Sequence, residues 1–188
     1  MAEFIVDTNI IIGISHLYLE NVQHARNRRE SYLFELKELI EDGVVTPIIT
    51  PTVLKEIKKG SKKDGGMAEK IVSRFCKVIQ FDEYAENKTL VLTDAYGNYP
   101  IDDKPAIVLA EDYLQRNYKD ATIIAEATVV QKLSKQTLPF ITENLKDVCD
   151  EAKINTVNKR HNVPALHIHS LHTVKEALEI CEYSNTNI

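Results

Sequence analysis

Four acidic residues lie at positions from which their side chains could act on one substrate: Asp7, Glu56, Asp120 and Asp147. Asp7 follows the apolar run at residues 4–6, which is typical of a buried strand that ends at an acid. In open parallel α/β sheets, ligands bind outside the carboxyl ends of the strands. Asp147 also follows a predicted strand, Glu56 lies in the helix after the second strand, and Asp120 opens another helix. The four acids are therefore candidates for a common site.

A cluster of carboxylates requires a neutralising partner. Converging carboxylates repel one another, and their burial is prohibitive unless protons or cations compensate the charge. Hard oxygen ligands favour Mg²⁺ or Mn²⁺ over zinc. One or two such ions in an acidic cluster activate water and stabilise charge on an attacked phosphate. The chemistry indicated is phosphodiester hydrolysis.

Each acid also has a purely structural interpretation. An acid at the start of a helix is often only its N-cap, which applies to both Asp7 and Asp120. Glu56 taken alone is typical of a solvated helix surface, and Asp147 of an early-turn acid favoured by the helix dipole. The occurrence of all four in series favours a common site over four separate explanations.

An alternation of strands and helices would position these acids. Apolar runs predict strands at about residues 4–6, 44–49, 138–142 and 163–168, with a short extended piece at 78–81. Periodicity of 3.6 residues predicts helices at about 10–20, 29–41, 104–117 and 121–134, with others through 53–57 and 67–75 and a last one after a Thr173–Glu176 capping box. Pro47 indicates an irregular or edge strand. The alternation predicts an α/β fold with a largely parallel sheet and helices on both faces.

The bulk properties are those of one globular domain, residues 1–188, with an insertion or extra helical segment at about 58–103. A formal net charge of -5 gives no overall attraction to nucleic acid, although Lys55, Lys58 and Lys59 are clustered. No apolar run approaches the roughly 18 residues of a membrane span, so no membrane association is expected. Three cysteines without CxxC spacing predict free thiols and a cytoplasmic location.

Four short motifs together resemble the PIN-domain nucleases. They are IVDTN at residues 5–9, VLKEI at 53–57, DATIIAEA at 120–127 and FITENLKD at 140–147. Their order is that of the family, and the match covers most of the chain. The exception is about residues 58–103, where this chain is longer than the compact members. The resemblance implies a three-layer α/β/α sandwich around a mostly parallel sheet.

Carried over residue by residue, the resemblance implies that Asp7, Glu56 and Asp120 are metal ligands. Many members end the last site strand with Thr-x-Asp, where this sequence has Asn144. Others have Thr-x-Asn followed three residues later by an acid, which makes Asp147 the expected fourth ligand. The remaining implied roles are a substitute for the fourth acid, Glu143, and groups that surround the ligands or orient water, namely Asn9, Thr142, Glu143 and Asn144. Val148 departs from the aromatic residue that members often have.

The resemblance implies an endonuclease that depends on one or two Mg²⁺ or Mn²⁺ ions, cuts RNA and leaves 3′-hydroxyl and 5′-phosphate ends. Lys55, Lys58 and Lys59 would steer the phosphate backbone toward the acidic site. Such proteins serve as toxins of toxin–antitoxin pairs or in RNA processing. An antitoxin-like protein and a second copy of the chain are the protein partners left open.

Two other interpretations remain open on the sequence. One is a non-catalytic PIN-like module that binds nucleic acid or acts as a scaffold, which Asn144 favours. The other is a plain α/β domain whose acids are only helix caps. Nucleotide loops of the GxGxxG or GxxxxGK type and GxSxG elbows are absent from the sequence. The histidines His167, His169 and His172 are expected on a solvated surface, since no cysteines accompany them.

Overall fold

The computed structural model describes residues 1–22, 24–60, 63–84, 89–93, 99–100, 118–134, 137–144, 155, 159 and 165–185. Its strands are β1 Ala2–Val6, β2 Val45–Ile49, β3 Lys77–Val78, β4 Gln80–Tyr84, β5 Thr89–Thr93, β6 Tyr99–Pro100, β7 Phe140–Ile141 and β8 Ile168–His169. Its helices are α1 Thr8–Leu19, α2 Arg28–Glu41, α3 Pro51–Gly60, α4 Met67–Phe75, α5 Tyr118–Ser134 and α6 Val174–Asn185, with a 3₁₀ turn at Leu171–Thr173.

The central sheet is parallel throughout, in the order β3-β2-β1-β7-β8. Strands β2 and β3 therefore lie on one side of β1, and strands β7 and β8 lie on the other side. Right-handed crossovers in opposite directions place their connecting helices on opposite faces. The predicted α/β class and parallel sheet are confirmed. The reversal between β1 and β7 creates the crevice in which α/β sheets bind ligands.

The helices pack on this sheet as their apolar patterns predict. Leu33, Leu36 and Ile40 on α2 are buried in the core. The whole run from residue 123 to 131 of α5 is buried, polar residues included, so this helix is enclosed on all sides. It can therefore present Asp120 in its first turn from a rigid support.

Pro47 lies in an interior strand, so the edge strand, one of the two predicted alternatives, is wrong. Strand β2 pairs with β1 on one side and with β3 on the other. The carbonyl of Ile49 accepts a hydrogen bond from Ile79 on the β3 side. The backbone N–H and C=O groups of successive residues point alternately to the two sides of a strand, so the backbone of Pro47, two residues before Ile49, also faces β3. Pairing with β3 covers only Ile48 and Ile49, so the missing N–H of Pro47 interrupts no ladder.

The predicted insertion contains both helix and sheet. Helix α4 is followed by a separate antiparallel sheet of β4, β5 and β6. The predicted helix at 104–117 lies outside the described residues. The last strand, predicted at about 163–168, begins at Ile168. The capping box joins Ser170 to Thr173, whereas the sequence predicted it between Thr173 and Glu176.

Gly13 permits the close approach of α1 and α2. A Cβ atom added there would lie 3.0 Å from both Cδ atoms of the buried Leu33. We expect Gly13→Ala to be destabilising, because overpacking against the buried Leu33 costs about 1–3 kcal/mol and alanine adds at most roughly 1 kcal/mol in helix propensity. Gly60→Ala is the matched control, since nothing lies within 4 Å of its added Cβ. Urea unfolding should show a loss for the first variant alone, and equal stability of the two would contradict this packing.

Candidate functional site

Asp7 is both a helix cap and the centre of a hydrogen-bond network. It occupies the N-cap position of α1, and its Oδ1 accepts from the backbone N–H of Thr8 at 2.6 Å. Its Oδ2 accepts from the Asn9 amide at 2.8 Å and from the Thr142 hydroxyl at 2.6 Å. Asp7 lies directly after β1 and Thr142 directly after β7, at the reversal of strand order. The capping interpretation and the site interpretation therefore apply to the same residue.

Helix α3 brings Glu56 to this position. The Thr8 hydroxyl donates to Glu56 Oε2 at 2.6 Å. Val53 and Ile57 are buried and anchor α3 in the core, and Glu56 lies at the edge of this buried stripe, half-exposed. Glu56 is thus hydrogen-bonded directly to Thr8, the residue that follows Asp7.

A second chain of hydrogen bonds leads from Asp7 to Asp120. The Thr142 hydroxyl accepts from the backbone N–H of Asn144 at 3.0 Å while it donates to Asp7. The Asn144 side-chain amide donates to Asp120 Oδ2 at 3.3 Å. The structure therefore brings Asp7, Glu56 and Asp120 to one crevice from three separate elements.

The electrostatics of Asp7 favour its neutralisation. Its side chain is buried, with the residue 7% exposed. Burial is the largest effect and raises the pKa of the Asp7 carboxyl, and the charge of Glu56 raises it further. The hydrogen bonds that Asp7 accepts act in the other direction without cancelling the effect of burial. A cation bound here would relieve a cost that the folded chain otherwise carries.

The donor chemistry of the site fits a hard divalent cation. Three carboxylates and the side-chain oxygen of Asn144 are oxygen ligands of the kind that Mg²⁺ and Mn²⁺ select. In the part of the chain that the structure describes, no group of three His, Cys, Asp or Glu side chains is already close enough to hold a metal ion. Thr8 and Asn144 link these carboxylates through hydrogen bonds.

Glu143, the predicted substitute for the fourth acid, faces a cation. Its Oε1 and Oε2 accept from Arg29 Nε and Nη2, both at 2.6 Å. This bidentate pair fixes α2 against the segment after β7. The backbone N–H of Glu143 also donates to Asn9 Oδ1 at 3.2 Å. Asp147, the expected fourth ligand, lies outside the described residues.

The predicted lysine cluster lies on α3, the helix that carries Glu56. Lys55, Lys58 and Lys59 are all exposed. Lys55 and Lys59 are four residues apart and share one face of the helix. Their predicted contact with a phosphate backbone stays a prediction.

Sequence reasoning missed two residues that hold the site in place. Thr8 carries the link to Glu56, and its only signal was its place between Asp7 and Asn9. Glu126 is 6% exposed and accepts from the backbone N–H of Thr52 at 3.0 Å and from its hydroxyl at 2.7 Å. It thereby caps α3 from α5. The available signal was an acid among the apolar and small residues at 121–130 of α5.

None of the helices that the structure describes is long and apolar enough to cross a membrane. Cys76 and Cys181 form no disulfide bond within the described residues, in line with the prediction for these two cysteines. Cys149 lies outside the described residues.

The similarity of this chain to known proteins is weak. No family model matches the chain, and no curated protein matches it. The chain is similar to the crystal structure of VapBC2 from Rickettsia felis bound to a DNA fragment from their promoter, with 17% identity and a TM-score of 0.45. The similarity covers 89% of this chain and 98% of the other. A match at this level establishes neither family nor activity, so function is inferred from the residues of the site.

Proposed function

We propose that the protein is a PIN-like endonuclease that cuts RNA with the help of Mg²⁺ or Mn²⁺. The observation that carries the proposal is the convergence of Asp7, Glu56 and Asp120 at the reversal between β1 and β7. These acids come from three separate elements and are joined through hydrogen bonds. The four sequence motifs in the order of the PIN-domain nucleases support the same proposal.

Asp7, Glu56 and Asp120 would hold the cation, with Asp147 as the fourth ligand. A bound divalent cation supplies an acidified water and neutralises charge on the attacked phosphate. Thr142 and Asn9 fix the orientation of the Asp7 carboxylate through hydrogen bonds. Partners of this kind around a ligand are typically worth about 10–100-fold in affinity or activity.

Lys55, Lys58 and Lys59 would attract the phosphate backbone to the edge of an otherwise negative site. The proposal includes an RNA substrate and a cytoplasmic setting, either as the toxin of a toxin–antitoxin pair or in RNA processing. In the first setting an antitoxin-like protein is a partner. A homodimer is compatible with both.

Cleavage of labelled RNAs tests the proposed activity. Single-stranded and structured RNAs, with DNA of the same sequences, are incubated with Mn²⁺, Mg²⁺ or EDTA. Cutting that requires metal and is lost in Asp7→Asn and Asp120→Asn supports the nuclease and two of its ligands. Cutting that survives both substitutions would overturn the assignment of the site.

Metal binding should stabilise the folded chain. Binding to the folded state alone adds about 2.7 kcal/mol when free Mn²⁺ is about 100 times Kd, which raises the melting temperature by roughly 5–10 °C for a chain of this size. Asp7→Asn should abolish most of this increase in a thermal-shift assay. Asp42→Asn, at the exposed end of α2, removes the same charge and should keep it. An increase that persists in Asp7→Asn would place the ion elsewhere.

A non-catalytic module is the second candidate, and two observations favour it. Asn144 stands where many PIN-domain nucleases have an acid, and the described acids are held apart by intervening side chains. Such a module would bind Mn²⁺ or RNA without cutting any of the RNAs. The cleavage and thermal-shift assays together separate the two functions.

A further inference from the structure

A cavity lies beside the acidic crevice, at the start of α2. Its volume is about 570 Å³, and its lining includes Arg28, Arg29, Tyr32, Glu143, Ser170 and His172. This volume lies within the range of sites that accept small molecules. The lining combines cations with aromatic rings, and none of the predicted site residues is aromatic.

Arg28 gives the cavity its positive charge. The Glu143 carboxylate is matched by Arg29 in their bidentate pair, so these two charges offset each other. Arg28 is exposed and forms no ion pair within the described residues. Its Nε donates to the Tyr32 hydroxyl at 3.0 Å, and its guanidinium carbon lies 5.7 Å from the centre of the Tyr32 ring. The guanidinium is thereby oriented with donors left for an anion.

Two aromatic rings form a wall of the same cavity. The centres of the Tyr32 and His172 rings are 6.2 Å apart, with 49° between their planes. Tyr32 is half-buried against the core, and the Ser170 hydroxyl lies 2.9 Å from His172 Nδ1. Packing therefore holds Tyr32, while the Ser170 hydroxyl orients the exposed His172. Fixed aromatic rings beside an arginine are the groups on which single-stranded nucleic acids stack and bind.

Glu143 links the cavity to the acidic crevice along the chain. This residue lines the cavity and stands between Thr142, which bonds to Asp7, and Asn144, which bonds to Asp120. A strand with one phosphate at the acids would pass over this segment into the cavity.

We infer that the cavity binds the nucleotide next to the one whose phosphate is cut. Its phosphate lies on Arg28, and its base packs on Tyr32 and His172. The inference rests on the proposed nuclease function, and it names the side from which single-stranded substrate enters. It also accounts for the presence of His172, which the sequence placed only on a solvated surface.

Binding of a fluorescein-labelled single-stranded RNA 12-mer in EDTA tests the cavity without any cleavage. We expect Arg28→Gln and His172→Ala each to weaken binding by about tenfold. Arg28→Gln should also reduce the salt dependence by about one counterion. The matched controls are Arg74→Gln and His16→Ala, which are exposed and lie toward the far ends of α4 and α1. Both should bind within about twofold of the unmodified chain.

Cleavage kinetics separate failure of the cavity from failure of the nuclease. If the chain cuts RNA with Mn²⁺, Arg28→Gln should raise KM with little change in kcat. Unchanged KM and unchanged binding would overturn the cavity while the nuclease stands. If no RNA is cut, the binding assay alone decides: selective loss in Arg28→Gln and His172→Ala supports the cavity, and no loss or no binding refutes it. Circular dichroism of each variant confirms that the fold is retained.

Discussion

Asp7→Asn is expected to reduce metal-dependent RNA cleavage by about 100-fold or more, because removal of a ligand should exceed the 10–100-fold typical of a ligand's partners. The same variant, free of metal, should melt at a higher temperature than the unmodified chain. Asparagine retains the size of the side chain and removes the buried charge. Opposite effects on activity and stability are typical of a side chain that is kept for function at a cost in stability.

The pH dependence of stability shows whether the charged Asp7 carboxylate stabilises or destabilises the folded chain. Burial raises the pKa of the Asp7 carboxyl above its unfolded value. The stability that this group contributes is therefore present below the unfolded pKa and is lost as the pH rises through the folded pKa. The advantage of Asp7→Asn in EDTA should then grow from about pH 4 to neutral pH. Melting temperatures over this range measure it, with the exposed Asp42→Asn as the control for removal of a surface carboxylate.

A different pair of results would contradict this account of Asp7. If Asp7→Asn melted at a lower temperature at neutral pH and still cut RNA with Mn²⁺, Asp7 would be only the N-cap of α1.

The second large effect is expected at Glu126. Glu126→Ala should cost about 2–3 kcal/mol, since it removes a helix cap and leaves the half-buried N–H and hydroxyl of Thr52 without their acceptor. For a chain of this size, that loss lowers the melting temperature by roughly 5–10 °C. Because α3 carries Glu56, the variant should also bind Mn²⁺ more weakly. Denaturant unfolding and Mn²⁺ titration measure the two effects.

Glu126→Gln is the matched control, because it keeps an acceptor oxygen and nearly the same volume. Burial raises the pKa of the Glu126 carboxyl despite its hydrogen bonds to Thr52. Its contribution to stability is therefore lost as the pH rises above the unfolded value of about 4.5. The stability of Glu126→Gln relative to the unmodified chain should increase with pH over that range. Equal stability of the alanine and glutamine variants would show that the cap does not hold α3.

The parts of the fold that could be predicted are those with a local pattern. The apolar face of α2 and the acid after β1 are visible within a few neighbouring residues, because a helix or strand orients such residues by its own geometry. The reversal of strand order between β1 and β7 has no such signal. It depends on which strands pair, and β7 and β8 are too short to show a period.

The links within the site could not be read from the sequence for the same reason. Thr8 and Glu56 are 48 residues apart, and Arg29 and Glu143 are 114 apart. The position of Glu56 in the helix after the second strand made it a candidate, and the resemblance to the PIN-domain nucleases implied Glu143 as a substitute ligand. Only packing of α2 against the segment after β7 determines that Glu143 faces Arg29.

Mn²⁺ binding measured by calorimetry, on the unmodified chain and on Glu56→Gln and Asp120→Asn, tests the central claim most directly. If acids from α3 and α5 share one ion with Asp7, each single substitution should weaken the same binding event by about tenfold or more. The exposed Asp42→Asn should leave that event unchanged. Binding that is undiminished in both Glu56→Gln and Asp120→Asn would contradict a shared metal site at the crevice between β1 and β7.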